Sequence, residues 1–387
     1  MSSSERAEIA GTCDGRFAAV REAFRENFSE RGELGGGVTV IVEGQTVVEL
    51  WGGWADTDRS RRWQEDTVVN VFSVGKALAA VCVLALVSRG SLELDDPVSR
   101  HWPEFAAAGK EGVTVREVLS HRAGLAAISR DLPEGSLYDW AQVTQALAEQ
   151  EPWWTPGTGH GYHVHTFGFL AGEIVRRVTG ERIGSFLRRE VAERLGVDLS
   201  FGLDPRARPR RAEYVFDWKT SARAAQAQRA FRDTHLRERA YMNPPGATGI
   251  GTVNTAAWQD AELPSANLHA GAPAIARVYD ALLSDAPPLV GEDVLREAIA
   301  EASVGEDLVL GRQSRFGLGF QLTQPERPLG PNPRSFGHFG TGGALGFADP
   351  DAGVAFGYVM NRGGPQWQDP RNRALIDAVY TALGTDG

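Results

Sequence analysis

Apolar residues recur at Phe17, Val20, Phe24 and Phe28, a spacing of three and four that predicts an amphipathic helix over 16–31. Gly35-Gly36-Gly37 then breaks the pattern and the period shortens. Residues 38–43 and 46–51 read as strands joined by a tight turn at Gly44-Gln45. Residues 73–89 are apolar nearly all round, which predicts a helix buried on every side. Thr114 is placed to N-cap a short helix ending near Leu119, and Ser120-His121-Arg122-Ala123-Gly124-Leu125 reads as the loop that closes it. Residues 166–179 carry Phe167, Leu170, Ile174 and Val178 on one face and stop at Gly180. Further helices are expected over 183–195, 272–283 and 293–302. Strand signals return at 317–323, 343–348 and 354–361, before a last helix over 371–383.

Strands at both ends with helices between them predict an α+β fold. One antiparallel sheet, flanked by the N- and C-terminal helices, joins the two ends of the chain. The expected division is a discontinuous sheet domain, 1–72 and 303–387, and an inserted, mainly helical domain over 73–302. A chain of 387 residues is long enough for two such lobes, and pockets favour their junction. Residues 204–246 differ in character, with Pro205, Pro209, Pro244 and Pro245 punctuating an Arg-rich stretch. They read as a surface excursion, either a solvated face with acidic partners or a cap over a site.

Composition removes several classes. Forty basic against 50 acidic residues leave a net charge of −10, which argues against a nucleic-acid binder. The longest apolar run, 77–87, is far short of the roughly 20 residues that span a bilayer. The first residues show no basic segment followed by an apolar one, so a cytoplasmic protein is expected. Cys13 and Cys82 make neither a disulfide framework nor a zinc motif. Only three of the 40 basic residues are lysines, Lys76, Lys110 and Lys219.

That scarcity directs attention to Lys76, which opens the buried apolar helix three residues after Ser73. Positions i and i+3 share a helix face, so the amine can reach the hydroxyl. Burial lowers a lysine pKa and makes the amine a base for an adjacent nucleophile. Arg cannot do this, so Lys76→Arg is expected to keep the charge and lose the chemistry. Tyr162 follows the Gly/Pro loop Thr155-Pro156-Gly157-Thr158-Gly159-His160-Gly161 and closely precedes a helix. A phenol so fixed can be aimed at the nucleophile, and near a cationic Lys its phenolate form is favoured. Gly337-His338-Phe339-Gly340-Thr341-Gly342-Gly343-Ala344 leads into a strand and lets backbone N–H groups approach a ligand. One of them, with the Ser73 N–H, could form an oxyanion hole. The dinucleotide pattern does not fit here. Gly-x-Ser-x-Gly is incomplete around Ser73, which argues against a Ser-His-Asp hydrolase. His160, His163 and His165 lack metal-site spacing and are expected to line the pocket instead.

These features together resemble the serine β-lactamase and penicillin-binding-protein superfamily, and within it the class C-like carboxylesterases of family VIII. The signposts, spread over about 15–383, are Ser73-x-x-Lys76, the 120–125 loop, Thr155-Pro156-Gly157 before Tyr162, Val178-Thr179-Gly180, and the late Gly-rich strand. The resemblance implies Ser73 as an acylated nucleophile with Lys76 and Tyr162 as its proton-transfer pair, in a two-lobe β-lactamase/transpeptidase-like fold without cofactor or metal. Two departures stand out. Tyr162-His163-Val164 lacks the family's amide, and His338-Phe339-Gly340 stands near the place of Lys-Thr-Gly, whose Lys meets a carboxylate. Both point from β-lactams and D-peptides toward small neutral esters. β-Lactamase, D-amino-acid peptidase or amidase activity on the same site is the alternative, and a non-catalytic binding protein a remoter one. The register of the last motif stays open, with Thr341 or Gly343 as oxyanion donor. His338, Gly340, His163 and Trp154 are further substrate-side candidates, with Asn267 as a rim residue. Trp153, Trp154, Trp218 and Trp367 could wall an apolar pocket. A small-molecule ester is the expected partner, with no nucleic acid or membrane; a homo-oligomer is possible.

Overall fold

The computed structural model describes residues 7–216, 234–284, 288–364 and 368–384. Trp218, Lys219, Trp367 and residues 217–233 of the Arg-rich excursion lie outside the described residues.

Strands β1 (Ile9–Cys13), β2 (Gly35–Val42) and β3 (Gln45–Gly53) come from the start of the chain. Six more come from its end: β4 (Ser303–Glu306), β5 (Gln313–Phe316), β6 (Gln321–Leu322), β7 (Phe336–Phe339), β8 (Leu345–Asp349) and β9 (Val354–Met360). They form one sheet in the order β1-β3-β2-β9-β8-β7-β6-β5-β4, antiparallel throughout. The two chain ends meet where β2 pairs with β9, Val38 opposite Tyr358. Helices α1 (Ala18–Ser29) and α5 (Pro370–Leu383) pack together, and α4 (Ala272–Leu283) lies on β9, β2 and β8.

Gly35-Gly36-Gly37 does not interrupt the chain; it opens β2. A Cβ at Gly35 would stand 2.1 Å from the Trp54 carbonyl oxygen, so close backbone approach explains the run. Gly346 and Gly357, opposite each other in β8 and β9, clear a lane for α4. A Cβ at Gly357 would meet the Ala272 carbonyl oxygen at 2.3 Å. The expected strand over 317–323 is mostly a bend. Gly319 (φ +83°) lies against Ala80, where a Cβ would come within 2.1 Å, and only Gln321–Leu322 pairs. The helix expected over 293–302 is Glu292–Ala298, ending where the chain turns toward β4. β1 was not expected, and it takes its register wholly from β3.

Between the sheet's two contributions lie α2 (Val74–Ser88) and α3 (Thr166–Thr179), packed on one another. Residues Val74 to Leu86 of α2 are all buried, as a helix apolar on every side requires. Thr114 accepts from the Glu117 N–H and Glu117 returns a bond to the Thr114 N–H, a complete capping box. Gly180 closes α3 in the left-handed region. Among the described residues no helix is long and apolar enough to cross a membrane.

Candidate active site

Ser73 N-caps α2, and the residue before it, Phe72, has φ +49°. A bulky residue there costs about 1–3 kcal/mol and needs outside support. The Phe72 ring is clasped by Tyr214, Phe216 and Trp258, with centroids 4.9, 5.9 and 6.4 Å away. This turn brings Ser73 to the end of the helix, 8 % exposed, with the Lys76 side chain fully buried beneath it.

Lys76 Nζ lies 3.0 Å from Ser73 Oγ and 3.1 Å from the Ser265 carbonyl oxygen. Burial drives its pKa well below the usual lysine value. The Ser265 segment is wedged between α2 and α3 at glycines. A Cβ on Gly75 would come within 2.4 Å of the Pro264 carbonyl oxygen, and one on Gly168 within 2.5 Å of the Ser265 nitrogen. Ser265 Oγ accepts from the Gly168 N–H at 2.7 Å. No sequence motif marks Ser265, because what it offers Lys76 is a backbone carbonyl.

Tyr162 is buried, with Lys76 Nζ 4.8 Å from its ring centroid and Ser73 beside its hydroxyl. Burial raises its pKa despite that contact. Burial thus pushes both groups toward their uncharged forms, against the phenolate that a cationic Lys would favour. The loop is anchored by Asp307, which no sequence motif marked. Its carboxylate accepts from the Tyr162 N–H at 3.0 Å and from the Val309 and Leu310 N–H groups. Arg312, the cation that Tyr162 feels, has Asp307 as a counter-charge.

The histidines divide sharply. His163 is spent on the backbone: Nε2 accepts from the Leu125 N–H at 3.2 Å and Nδ1 donates to the Gly161 carbonyl at 2.7 Å. It braces the Tyr162 loop rather than facing a substrate. His160 bonds Ser314 Oγ at 2.8 Å. His121, at φ +63°, accepts the His163 N–H and packs on Tyr162 and Phe316. His338 differs: its Nδ1 donates to the Phe339 carbonyl at 2.7 Å, while Nε2 is buried with no hydrogen-bond partner among the described residues. Its ring centroid is 6.0 Å from that of Tyr162. Burial first, then Lys76, pushes its pKa to about 3, so it is neutral.

Trp154 donates to the Gly159 carbonyl and stands edge-on to His163, supporting the same loop. Asn267 is not at the rim. Its fully buried amide donates to the Trp258 and Ala261 carbonyls and accepts from the Gly202 and Leu263 N–H groups.

The Gly-rich segment runs past the Ser73 turn, close enough that a Cβ on Gly340 would meet the Val71 carbonyl oxygen at 2.3 Å. Gly343 N–H donates to the Gly340 carbonyl at 3.2 Å, and the Gly343 α-carbon faces Asp369. Thr341 opens this turn, partly exposed.

Residues 20–381 match the family described as beta-lactamase. The chain belongs to the beta-lactamase family. It is 35% identical over 359 residues to the Esterase/beta-lactamase LipL of Mycobacterium tuberculosis, covering 92% of this chain and 83% of LipL. It is 26% identical over 392 residues to Esterase EstB of Burkholderia gladioli, covering 94% and 95%. Among solved structures, a family VIII carboxylesterase shares 38% identity with a TM-score of 0.89, over 97% of this chain and 100% of that one. A penicillin-binding protein homolog from Caulobacter crescentus shares 39% with a TM-score of 0.88, over the same shares of each chain. This beta-lactamase-family chain thus has the fold expected of it, with the serine, lysine and tyrosine brought together at the head of α2.

Proposed function

We propose that the chain is a serine carboxylesterase that hydrolyses small neutral esters through an acyl-enzyme on Ser73. The observation that carries the reading is the 3.0 Å contact between Ser73 Oγ and a buried Lys76 whose pKa is driven down. Ser73 Oγ attacks the ester carbonyl and the neutral amine takes its proton. The Ser73 N–H at the α2 N-terminus and the Thr341 N–H hold the oxyanion. Thr341 is favoured over Gly343 because the Gly343 N–H already closes the turn. The Tyr162 phenol gives its proton to the departing alcohol and regains one from the Lys76 ammonium. Water then adds to the acyl carbonyl, Ser73 Oγ leaves and is reprotonated, and the acid is released.

His338 supports the substrate class. A neutral imidazole presenting an acceptor nitrogen offers a carboxylate nothing, whereas a neutral ester needs no cation. The second reading, β-lactamase activity, is favoured by the similarity to LipL, whose name carries both activities. Rates on p-nitrophenyl butyrate and on a chromogenic cephalosporin separate them. The ester should be preferred by about 100-fold or more in kcat/KM, the scale of a site built without one charge partner. Faster turnover of the cephalosporin would reverse the assignment.

A further inference from the structure

Tyr214 comes from a part of the chain with no catalytic motif, yet it reaches both segments that carry the proposed oxyanion donors. It is 3 % exposed. Its ring packs at 4.9 Å and 71° on Phe72, the left-handed residue whose peptide bears the Ser73 N–H. Its hydroxyl donates to the Thr341 carbonyl oxygen at 3.0 Å. Burial raises its pKa, so it remains a donor. The oxygen sits between two glycines: a Cβ on Gly342 would come within 2.2 Å of it and one on Gly363 within 2.6 Å. Asn254 holds the Tyr214 backbone from both sides, accepting its N–H at 3.0 Å and donating to its carbonyl at 2.8 Å.

The consequence lies in the peptide planes around Thr341. The plane before it, which carries the Thr341 N–H, is fixed by the bond from the Gly343 N–H to the Gly340 carbonyl. The plane after it is fixed by Tyr214. The next two carbonyls are held as well, Gly342 by Arg371 at 3.0 Å and Gly343 by Asn372 at 2.9 Å. A residue whose flanking peptide planes are both fixed has one orientation left for its N–H. Preorganised donors of this kind act at full strength because they need no rearrangement during the reaction.

We propose that Tyr214 is a positioning residue that holds the Ser73 and Thr341 N–H groups in mutual register, acting through Phe72 on one side and the Thr341 carbonyl on the other. This rests on the proposed reading of Ser73 and Thr341 as oxyanion donors. Tyr214→Phe keeps the ring and removes the hydroxyl. It should lower kcat about tenfold with KM nearly unchanged, a fraction of the loss for deleting a donor outright. An alkyl boronic acid, whose tetrahedral adduct on Ser73 places an oxygen in the hole, should bind more weakly by the same factor as kcat falls. A residue that only supports the fold would shift the melting midpoint without linking these two quantities. Gly342→Ala, whose methyl displaces the Tyr214 oxygen, should repeat the linked loss and serves if the Phe variant does not fold. The proposal is overturned if a folded Tyr214→Phe enzyme keeps kcat within twofold, or if kcat falls while boronate affinity holds. Ser73→Ala run in parallel separates the two layers. If it still hydrolyses esters, the reading of Ser73 fails. If it is inactive and Tyr214→Phe is normal, only the role of Tyr214 fails.

Discussion

Replacing Lys76 by Met tests the proposed proton transfer with least disturbance, because among the described residues the lysine has no carboxylate partner. Its amine contacts Ser73 Oγ and the Ser265 carbonyl, and burial depresses its pKa. Met fills similar volume without charge. Losing the amine leaves the Ser265 carbonyl without its donor, a cost of about 1–3 kcal/mol. Removing a general base lowers the rate by roughly 10²–10⁴-fold, or about 3–5 kcal/mol in the barrier. Lys76→Arg should do worse, since it buries an obligate cation at a cost of several kcal/mol beyond the lost base. The sign of the pH effect follows from the depressed pKa. Up to about pH 10 the unfolded chain binds a proton at Lys76 that the folded chain holds less tightly. Folding stability from this group therefore rises with pH, and Lys76→Met lacks the rise. The assay is p-nitrophenyl acetate hydrolysis with melting curves between about pH 7 and 9. A folded Met variant within tenfold of wild-type kcat/KM, or a wild-type melting midpoint falling relative to Met as pH rises, would refute the argument.

Tyr162→Phe should lose roughly 10²–10⁴-fold on ethyl esters and less on p-nitrophenyl esters, whose leaving group departs without a proton; equal losses on both would remove Tyr162 as the acid. Gly75→Ala puts a methyl 2.4 Å from the Pro264 carbonyl oxygen, so melting and kcat should both fall, with about 1–3 kcal/mol lost; an unchanged melting curve would contradict the wedge between α2 and α3. Glu33, buried beside Arg371 and Tyr358, has its pKa raised from 4.5 to about 6, chiefly by burial. The folded state keeps that proton longer than the unfolded chain, so this group's contribution to stability falls as pH rises from 4.5 to about 6. Glu33→Gln should remove that fall, and a difference curve of the opposite slope would count against it.

The strongest elements were legible where local pattern and tertiary role agree. The all-apolar run gave α2, Thr114 and Gly180 marked helix ends, and Ser73, Lys76 and Tyr162 stood out by spacing and scarcity. Lys110 is the other described lysine and is also buried, donating to the Ala107, Ala148 and Gln150 carbonyls, a structural use that its neighbours in sequence do not signal. What failed depended on distant partners. Gly35-Gly36-Gly37 looked like a break because the Trp54 carbonyl that demands glycine there lies 19 residues on. His163 and Asn267 read as substrate-side groups in the sequence, which does not show that backbone groups consume both. Asp307 lies 145 residues from the Tyr162 loop it anchors, and Tyr214 lies 127 from the Thr341 carbonyl it holds. Neither relation leaves a periodic or motif signal, because each arises only when the sheet's two halves close around the helices.

The central claim is that Ser73 is acylated during turnover. The most direct measurement is intact-mass and peptide analysis of the enzyme quenched during hydrolysis of a slowly deacylating p-nitrophenyl ester, with Ser73→Ala alongside. The account predicts one acyl group, mapped to the peptide containing Ser73 and absent from the Ala variant. An acyl group on another residue, or undiminished hydrolysis by Ser73→Ala, would contradict it.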